Sequence, residues 1–389
     1  MPDWSKPVIA ALVLLTAALA MRSRLVARRA HRLGRQRNEL LRDTRVMQGA
    51  LVPEVPASIG KLAVSVAYRP ADGPAAGGDF YDVFELGAGR VAMILGDVSG
   101  HGQEALREAA LTRYTIRAYL LAGLGPRTAL ALGGRVLARP RVERFATVAV
   151  AVYDRRGSEL TYALAGHPPP IFRRVGAPEP LTICCSPPVG LSYPTGRRQS
   201  KITLPPGSEV CFFTDGLEEA RAEGGLLGRE GLSVLLDRTG PHASAREVLE
   251  RIQEQTDATR DDMAVCILAP TTTEAVQLVH TEELEAEARE LGGESVQRFL
   301  QECDVDKAQS LRVRRLALDI AGASGTAVIR VEAGPDGIIA NAVAPPPSQM
   351  TRSDQEPDEE RAVRPAGRPD APQRRAADVR SRDALAPAG

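Results

Sequence analysis

Two apolar runs of strand length end on an aspartate, and a third follows a pair of them. Val91-Ala92-Met93-Ile94-Leu95-Gly96-Asp97 and Val210-Cys211-Phe212-Phe213-Thr214-Asp215 put a carboxylate where a buried strand leaves the core. In Asp261-Asp262-Met263-Ala264-Val265-Cys266-Ile267-Leu268 the order is reversed. A fourth acidic segment, Gly77-Gly78-Asp79-Phe80-Tyr81-Asp82, leads into another strand candidate. Carboxylates gathered at sheet ends, with glycines that let backbone carbonyls approach, make an oxygen donor set without sulfur or imidazole. That chemistry suits Mg²⁺ or Mn²⁺.

The spacing predicts strands over Leu62–Tyr68, Phe80–Leu86, Val91–Leu95, Phe145–Tyr153, Glu159–Leu164, Pro170–Arg173, Ser208–Thr214 and Met263–Leu268. It predicts helices over Gln103–Leu121, Pro126–Ala138, Arg229–Leu236 and Ala243–Gln255. Gly87-Ala88-Gly89 and Arg155-Arg156-Gly157 read as hairpin turns, which implies antiparallel pairing. Hairpins with segregated helices indicate an α+β layered domain and not an alternating parallel sheet.

The chain has 389 residues with 49 Lys plus Arg and 49 Asp plus Glu, a balance that gives no reason to expect a nucleic-acid partner. Basic charge is concentrated in Arg22, Arg24, Arg28, Arg29, Arg32, Arg35 and Arg37, after an apolar stretch from Val8 to Met21. The arginines follow that stretch instead of preceding it, which argues against a cleaved secretory signal and places them on the cytoplasmic side of a membrane. The expectation is therefore a membrane anchor over 1–22 and a single-pass protein of the inner (cytoplasmic) membrane with its main domain in the cytoplasm. A surface-lying helix is the alternative, and the basic stretch can meet anionic lipid heads. Five cysteines without CxxC spacing fit a reducing compartment. Cys211 and Cys266 lie inside strand runs and read as small buried apolar residues.

Residues 23–60 hold the basic segment and a linker helix over Asn38–Leu51, which either pairs with a second copy to form a homodimer or leans on the domain. Residues 61–270 form the main domain and 271–344 a small appendage. In the appendage an amphipathic helix is expected over Glu282–Cys303, followed by two short strands, Ala327–Glu332 and Gly337–Ala342. Residues 345–389, rich in Pro, Arg, Asp and Ala, are expected to be disordered.

Five motifs occur in order: Gly77-Gly78-Asp79-Phe80-Tyr81-Asp82, Gly96-Asp97-Val98-Ser99-Gly100-His101-Gly102, Ala165-Gly166-His167-Pro168-Pro169-Pro170, Thr214-Asp215-Gly216-Leu217-Glu218-Glu219-Ala220-Arg221 and Asp261-Asp262-Met263. Together they resemble the PPM metal-dependent serine/threonine protein phosphatases, and more narrowly their bacterial SpoIIE/RsbU branch, over about Leu62 to Leu268. The resemblance implies two stacked antiparallel sheets flanked by helices, with two Mn²⁺ or Mg²⁺ ions at one end. It implies that Asp97 bridges the ions, that the Val98 carbonyl adds a ligand, that Asp79 holds one ion directly or through water, and that Asp215 and Asp261 hold the other. Asp261 aligns with the family ligand better than Asp262.

The activity implied is hydrolysis of phosphoserine or phosphothreonine on a protein by a metal-activated water, with Asp97 and Asp79 central. The implied partner is a phosphorylated anti-sigma-factor antagonist of the STAS type. The competing reading is a catalytically weak module that sequesters a phosphorylated partner at the membrane. Three residues carry open readings at this point. Asp82 either joins the metal site or caps a strand, His101 either acts near phosphate or shapes a turn, and His167 serves to fix backbone more readily than to catalyse.

Overall fold

The computed structural model describes residues 21–24, 29, 32, 51–71, 77–138, 144–173, 185–222, 225–256, 261–271, 279–334 and 337–345. Its strands are β1 (Ser58–Ile59), β2 (Leu62–Arg69), β3 (Phe80–Gly87), β4 (Arg90–Val98), β5 (Ala146–Asp154), β6 (Glu159–Ala165), β7 (Ile171–Arg173), β8 (Arg198–Thr203), β9 (Glu209–Phe213), β10 (Arg221–Ala222), β11 (Gly225–Leu226), β12 (Met263–Pro270), β13 (His280–Glu287), β14 (Thr326–Gly334) and β15 (Gly337–Val343). Its helices are α1 (Gln103–Leu121), α2 (Pro126–Leu137), α3 (Gly228–Thr239), α4 (Ala245–Gln255), α5 (Glu294–Glu302) and α6 (Lys307–Ser324).

Strand alternation decides the layering. In β4, Met93 and Leu95 point one way and Ala92 and Ile94 the other, and both faces are buried. Met93 and Leu95 meet Val64, Phe212 and Cys266 of the second sheet. Ala92 and Ile94 meet Leu106, Ile116 and Leu130 of α1 and α2. The outer face of the second sheet, through Phe213, Val265 and Ile267, is covered by Leu232 and Leu236 of α3 and Val248 and Ile252 of α4. The result is a helix, sheet, sheet, helix sandwich. Each fully buried Ile, Leu or Phe in these layers contributes about 1.5–3 kcal/mol relative to exposure.

The larger sheet has the order β15-β14-β13-β8-β6-β5-β4-β3 and the smaller β1-β2-β12-β9-β7, with antiparallel pairing throughout. The α+β class with antiparallel sheets is thus the observed one. Helix α4 starts on a reciprocal capping box: Ser244 Oγ accepts from Glu247 N, and Glu247 Oε2 accepts from Ser244 N. Such a cap is worth about 1 kcal/mol. Burial pushes the Cys211 thiol up to about 12, so this cysteine sits in the core as an apolar filler.

Beyond Pro270 the chain rejoins the larger sheet, with β13 pairing with β8. The expected helix over Glu282–Cys303 is helical only over Glu294–Glu302; Glu282 to Glu287 belongs to β13. Glutamate favours helix in isolation, but here buried partners decide. Ser200 Oγ donates to Glu282 at 2.7 Å, and Gln199 Nε2 donates to Glu283 at 2.7 Å. Helix α6 and strand β8 were not anticipated, whereas the β14 and β15 hairpin was. The packing of β13 and β14 against α5 and α6 builds a further core around Leu284, Phe299, Leu300, Val313 and Ile329.

The expected membrane anchor over 1–22, and with it the single-pass inner-membrane localisation, is corrected. No helix among the described residues is long and apolar enough to cross a membrane. The apolar run from Val8 to Met21 itself, about 14 residues against the roughly 20 a span needs, lies outside the described residues except for Met21. The linker helix over 38–51 lies outside them except for Leu51, which is buried in the core beside α1. The tail from 346 onward lies outside them as well.

Candidate metal centre

Asp79, Asp97, Asp215, Asp261 and Asp262 come from four segments and meet at one end of the sandwich. Asp97 is the penultimate residue of β4, and Asp79 immediately precedes β3. Asp215 opens a 3-10 turn, Asp215–Leu217, after β9, and Asp261 and Asp262 immediately precede β12. The strand runs therefore deliver the carboxylates to the sheet ends as the sequence predicts.

Two glycines make the convergence possible. Gly77 lies so close to Asp262 that a methyl group in place of its hydrogen would overlap the carboxylate. A methyl on Gly78 would overlap the Val98 carbonyl and crowd Asp97. Val98 N donates to Gly78 O at 3.3 Å, tying this loop to the end of β4. The two glycines hold the acidic loops together and cradle no nucleotide.

The carboxylates oppose one another. Burial and the neighbouring Asp97 and Asp262 hold Asp79 well above the usual carboxylate range, against a hydrogen bond from Thr214 Oγ1 at 2.8 Å. Burial, with Asp215, Asp261 and Asp262 nearby, raises Asp97 to about 7. Asp215 is raised by burial, then by Asp261 and Glu219. Among the described residues no three of these groups close into a cage around a single point. On this acidic rim they are nonetheless close enough to shift one another's protonation. Hard oxygen donors that repel in the absence of positive charge fit divalent cations of the Mg²⁺ or Mn²⁺ kind.

The two adjacent aspartates have different tasks. Asp262 is 2% exposed and accepts from Tyr68 Oη at 2.8 Å and from Ala71 N at 2.7 Å, so protein donors occupy both its oxygens. Asp261 is exposed, and one of its oxygens accepts from Asp262 N at 2.8 Å. Asp261 is the more accessible of the two carboxylates. The roles of Thr214 and Tyr68 in holding Asp79 and Asp262 were not read from the sequence. Tyr68 is a strand residue 194 positions from its partner and carries no local signal. Thr214 stood inside a quoted motif, and besides bonding Asp79 it accepts from Ala264 N at 2.9 Å.

Asp82 lies away from this rim. Arg113 Nε donates to its Oδ2 at 3.0 Å and Arg117 Nη1 at 2.7 Å, so it fastens β3 to α1. His167 is buried with Nδ1 3.1 Å from Thr147 Oγ1, and its Nε2 has no hydrogen-bond partner. Burial pulls its pKa down to about 3, so the ring is neutral near pH 7 and braces Thr147, the residue paired across from Asp97. His101 is exposed at the start of α1.

A layered sandwich with such an acidic end is the architecture of metal-dependent protein phosphatases of the PP2C kind. Residues 87–270 match the family model of Stage II sporulation protein E (SpoIIE). The PP2C domain of SiaA from Pseudomonas aeruginosa aligns with a TM-score of 0.50 and 19% identity, over 61% of this chain and 98% of that one. The PP2C phosphatase domain of SpoIIE from Bacillus subtilis aligns over 54% of this chain and 63% of that one, at 19% identity and a TM-score of 0.45. Among curated proteins, Protein IcfG of Synechocystis sp. is 24% identical over 251 residues, 57% of this chain and 39% of its own length. The chain thus spans about two-fifths of that relative.

Proposed function

We propose that this chain is a metal-dependent protein serine/threonine phosphatase. The observation that carries the reading is the meeting of Asp79, Asp97, Asp215 and Asp261 on one rim, where burial and mutual repulsion raise Asp79, Asp97 and Asp215. Asp97, influenced by Asp79, Asp215, Asp261 and Asp262, would hold divalent ions here, with the Val98 carbonyl beside it. Asp79, kept in place by Thr214, would serve one ion, and Asp215 and Asp261 would serve the other. Two divalent ions, when bound, supply positive charge to the phosphoryl oxygens and lower the pKa of a water. In the net reaction water adds to phosphorus, the bond to the seryl or threonyl oxygen breaks, and a proton goes to that oxygen. His167, whose Nδ1 lies 3.1 Å from the Thr147 hydroxyl, is neutral near pH 7 and so is no imidazolium acid for the leaving oxygen.

Residues 61–270 are the catalytic part in this reading. The SpoIIE family match and the five motifs support a phosphorylated STAS-type antagonist as substrate, within a sigma-factor regulatory pathway. The competing reading, a silent phosphoprotein-binding module, is disfavoured because all four acidic positions are intact. The test is Mn²⁺-dependent phosphate release from a phosphoserine STAS protein by the full chain, compared with Asp97→Asn and Asp215→Asn. Release by the parent and its loss in both variants is expected. A parent that binds the phosphoprotein with excess Mn²⁺ but releases nothing sinks the enzyme reading.

A further inference from the structure

We propose that Arg144 is a specificity-determining residue that grips an oxyanion of the substrate at the rim of the metal centre. The proposal deepens the phosphatase reading and rests on it. Strands β4 and β5 pair through Asp97 with Thr147 and Val98 with Ala146, and the contact runs on past the strand ends. Ser99 N donates to Phe145 O at 2.9 Å, Phe145 N donates to Ser99 Oγ at 3.0 Å, and Arg144 Nη1 donates to Ser99 O at 3.0 Å. The guanidinium therefore lies on the residues that directly follow Asp97 and Val98. Gly100 leaves it room: its φ is +92°, and a side chain there would run into Arg144 Nη1.

Many arginines of the molecule face a carboxylate, whereas Arg144, like Arg314, meets only neutral carbonyls among the described residues. Arg113 and Arg117 face Asp82, Arg127 faces Glu283 and Glu285, Arg173 faces Glu209, Arg197 faces Glu290 and Arg198 faces Glu302. Arg144 is half-buried, and among the described residues its partner is a neutral carbonyl and no carboxylate. A guanidinium carries five N–H donors in a rigid fork. One Nη1 donor is committed to Ser99, which leaves Nε and Nη2 for a ligand. The adjoining rim is lined with carboxylates, which repel a phosphate monoester that approaches it. A fixed cation at the lip draws in an anion and orients it through charge-assisted bonds. That anion is an oxyanion of the phosphoprotein, either the phosphoryl group itself or an acidic side chain beside the phosphoserine.

The experiment uses the full chain with Mn²⁺, as parent, Arg144→Ala, Arg144→Lys and Arg144→Glu. Inorganic phosphate is titrated by calorimetry, and KM and kcat are measured for two phosphoserine peptides, one with aspartate and one with alanine next to the phosphoserine. If the phosphoryl group is the ligand, Arg144→Ala weakens inorganic phosphate by about tenfold and raises KM alike for both peptides. If the flank is the ligand, phosphate binding holds, the rise in KM is confined to the aspartate peptide, and Arg144→Glu reverses the preference between the two peptides. Arg144→Lys restores part of either loss. The proposal is overturned if phosphate affinity and both KM values stay within about twofold of the parent in Arg144→Ala. It is also overturned if Arg144→Ala lowers only the melting temperature and kcat, which is what a simple brace on Ser99 would do. A parent that binds phosphate through Arg144 but turns over neither peptide removes the phosphatase reading and leaves this one. A parent that does neither removes both.

Discussion

The acidic rim and strand β13 bury carboxylates in the same molecule by opposite means. On the rim, Asp79, Asp97 and Asp215 face chiefly one another, and each is held above the ordinary carboxylate range. On β13, burial raises Glu282 as well, but there His280 Nε2 and Ser200 Oγ, each at 2.7 Å, work against the shift, and Glu283 is met by Gln199 and Arg330. Asp82, gripped by Arg113 and Arg117, belongs with the second group. Burial of charge is tolerated where the protein supplies the counter-charge. Where it withholds that charge, the fold is under electrostatic stress that a cation from outside relieves. The contrast separates binding chemistry from architecture among side chains of one type.

The largest expected effect is on turnover. Asp97→Asn should cut Mn²⁺-dependent phosphate release at least about 100-fold, measured at saturating phosphoprotein, because no neighbouring group can serve both ions. Residual activity near the parent's would erase the distinction between rim and network. Next comes the architectural partner. Arg113→Ala leaves buried Asp82 with Arg117 alone, and urea unfolding should show a loss of about 3–5 kcal/mol with the Mn²⁺ dependence of turnover retained. A neutral result would place Asp82 among the groups that stand unpaired.

A smaller effect has the opposite sign. In the metal-free protein Asp97 sits at about 7, above its unfolded value, so its contribution is intact at pH below the usual carboxylate range and is lost as pH rises toward 7. In EDTA, Asp97→Asn should therefore have a free energy of unfolding about 1–3 kcal/mol above the parent's at pH 8 and equal to it near pH 4. Identical curves across that range would show that the rim carries no stress. The smallest effect belongs to the outer edge of the β13 network. Arg330, with its side chain 40% exposed, should cost under about 1 kcal/mol when changed to alanine, by the same unfolding assay.

The strands that carry the rim were legible because each is a continuous apolar run with its aspartate at the boundary: the expected Met263–Leu268 is observed as Met263–Pro270. Helix α1 was legible to the residue, at Gln103–Leu121. Strand β8, Arg-Gln-Ser-Lys-Ile-Thr, was not, because its place between β6 and β13 is earned through Ser200 and through pairing at long range. Helix α6 carries legible end signals, with Asp306 capping Ala308 and Gln309 at one end and Gly325, at φ 79°, closing the other. The candidate ligands were readable as residue types at strand ends. Which of Asp261 and Asp262 is the more accessible was not, since it depends on Tyr68 and Ala71 reaching across from another segment.

The pairing of β13 with β8 also determines where the polypeptide can be cut. A chain ended after Pro270 would keep every residue of the acidic rim and lose β13, the neighbour that completes the ladder on β8. It would also leave Arg127, 4% exposed, without Glu283 and Glu285. An unsheltered strand is a template for other chains. The shortened protein should self-associate, and a fragment for study needs to run through Val343.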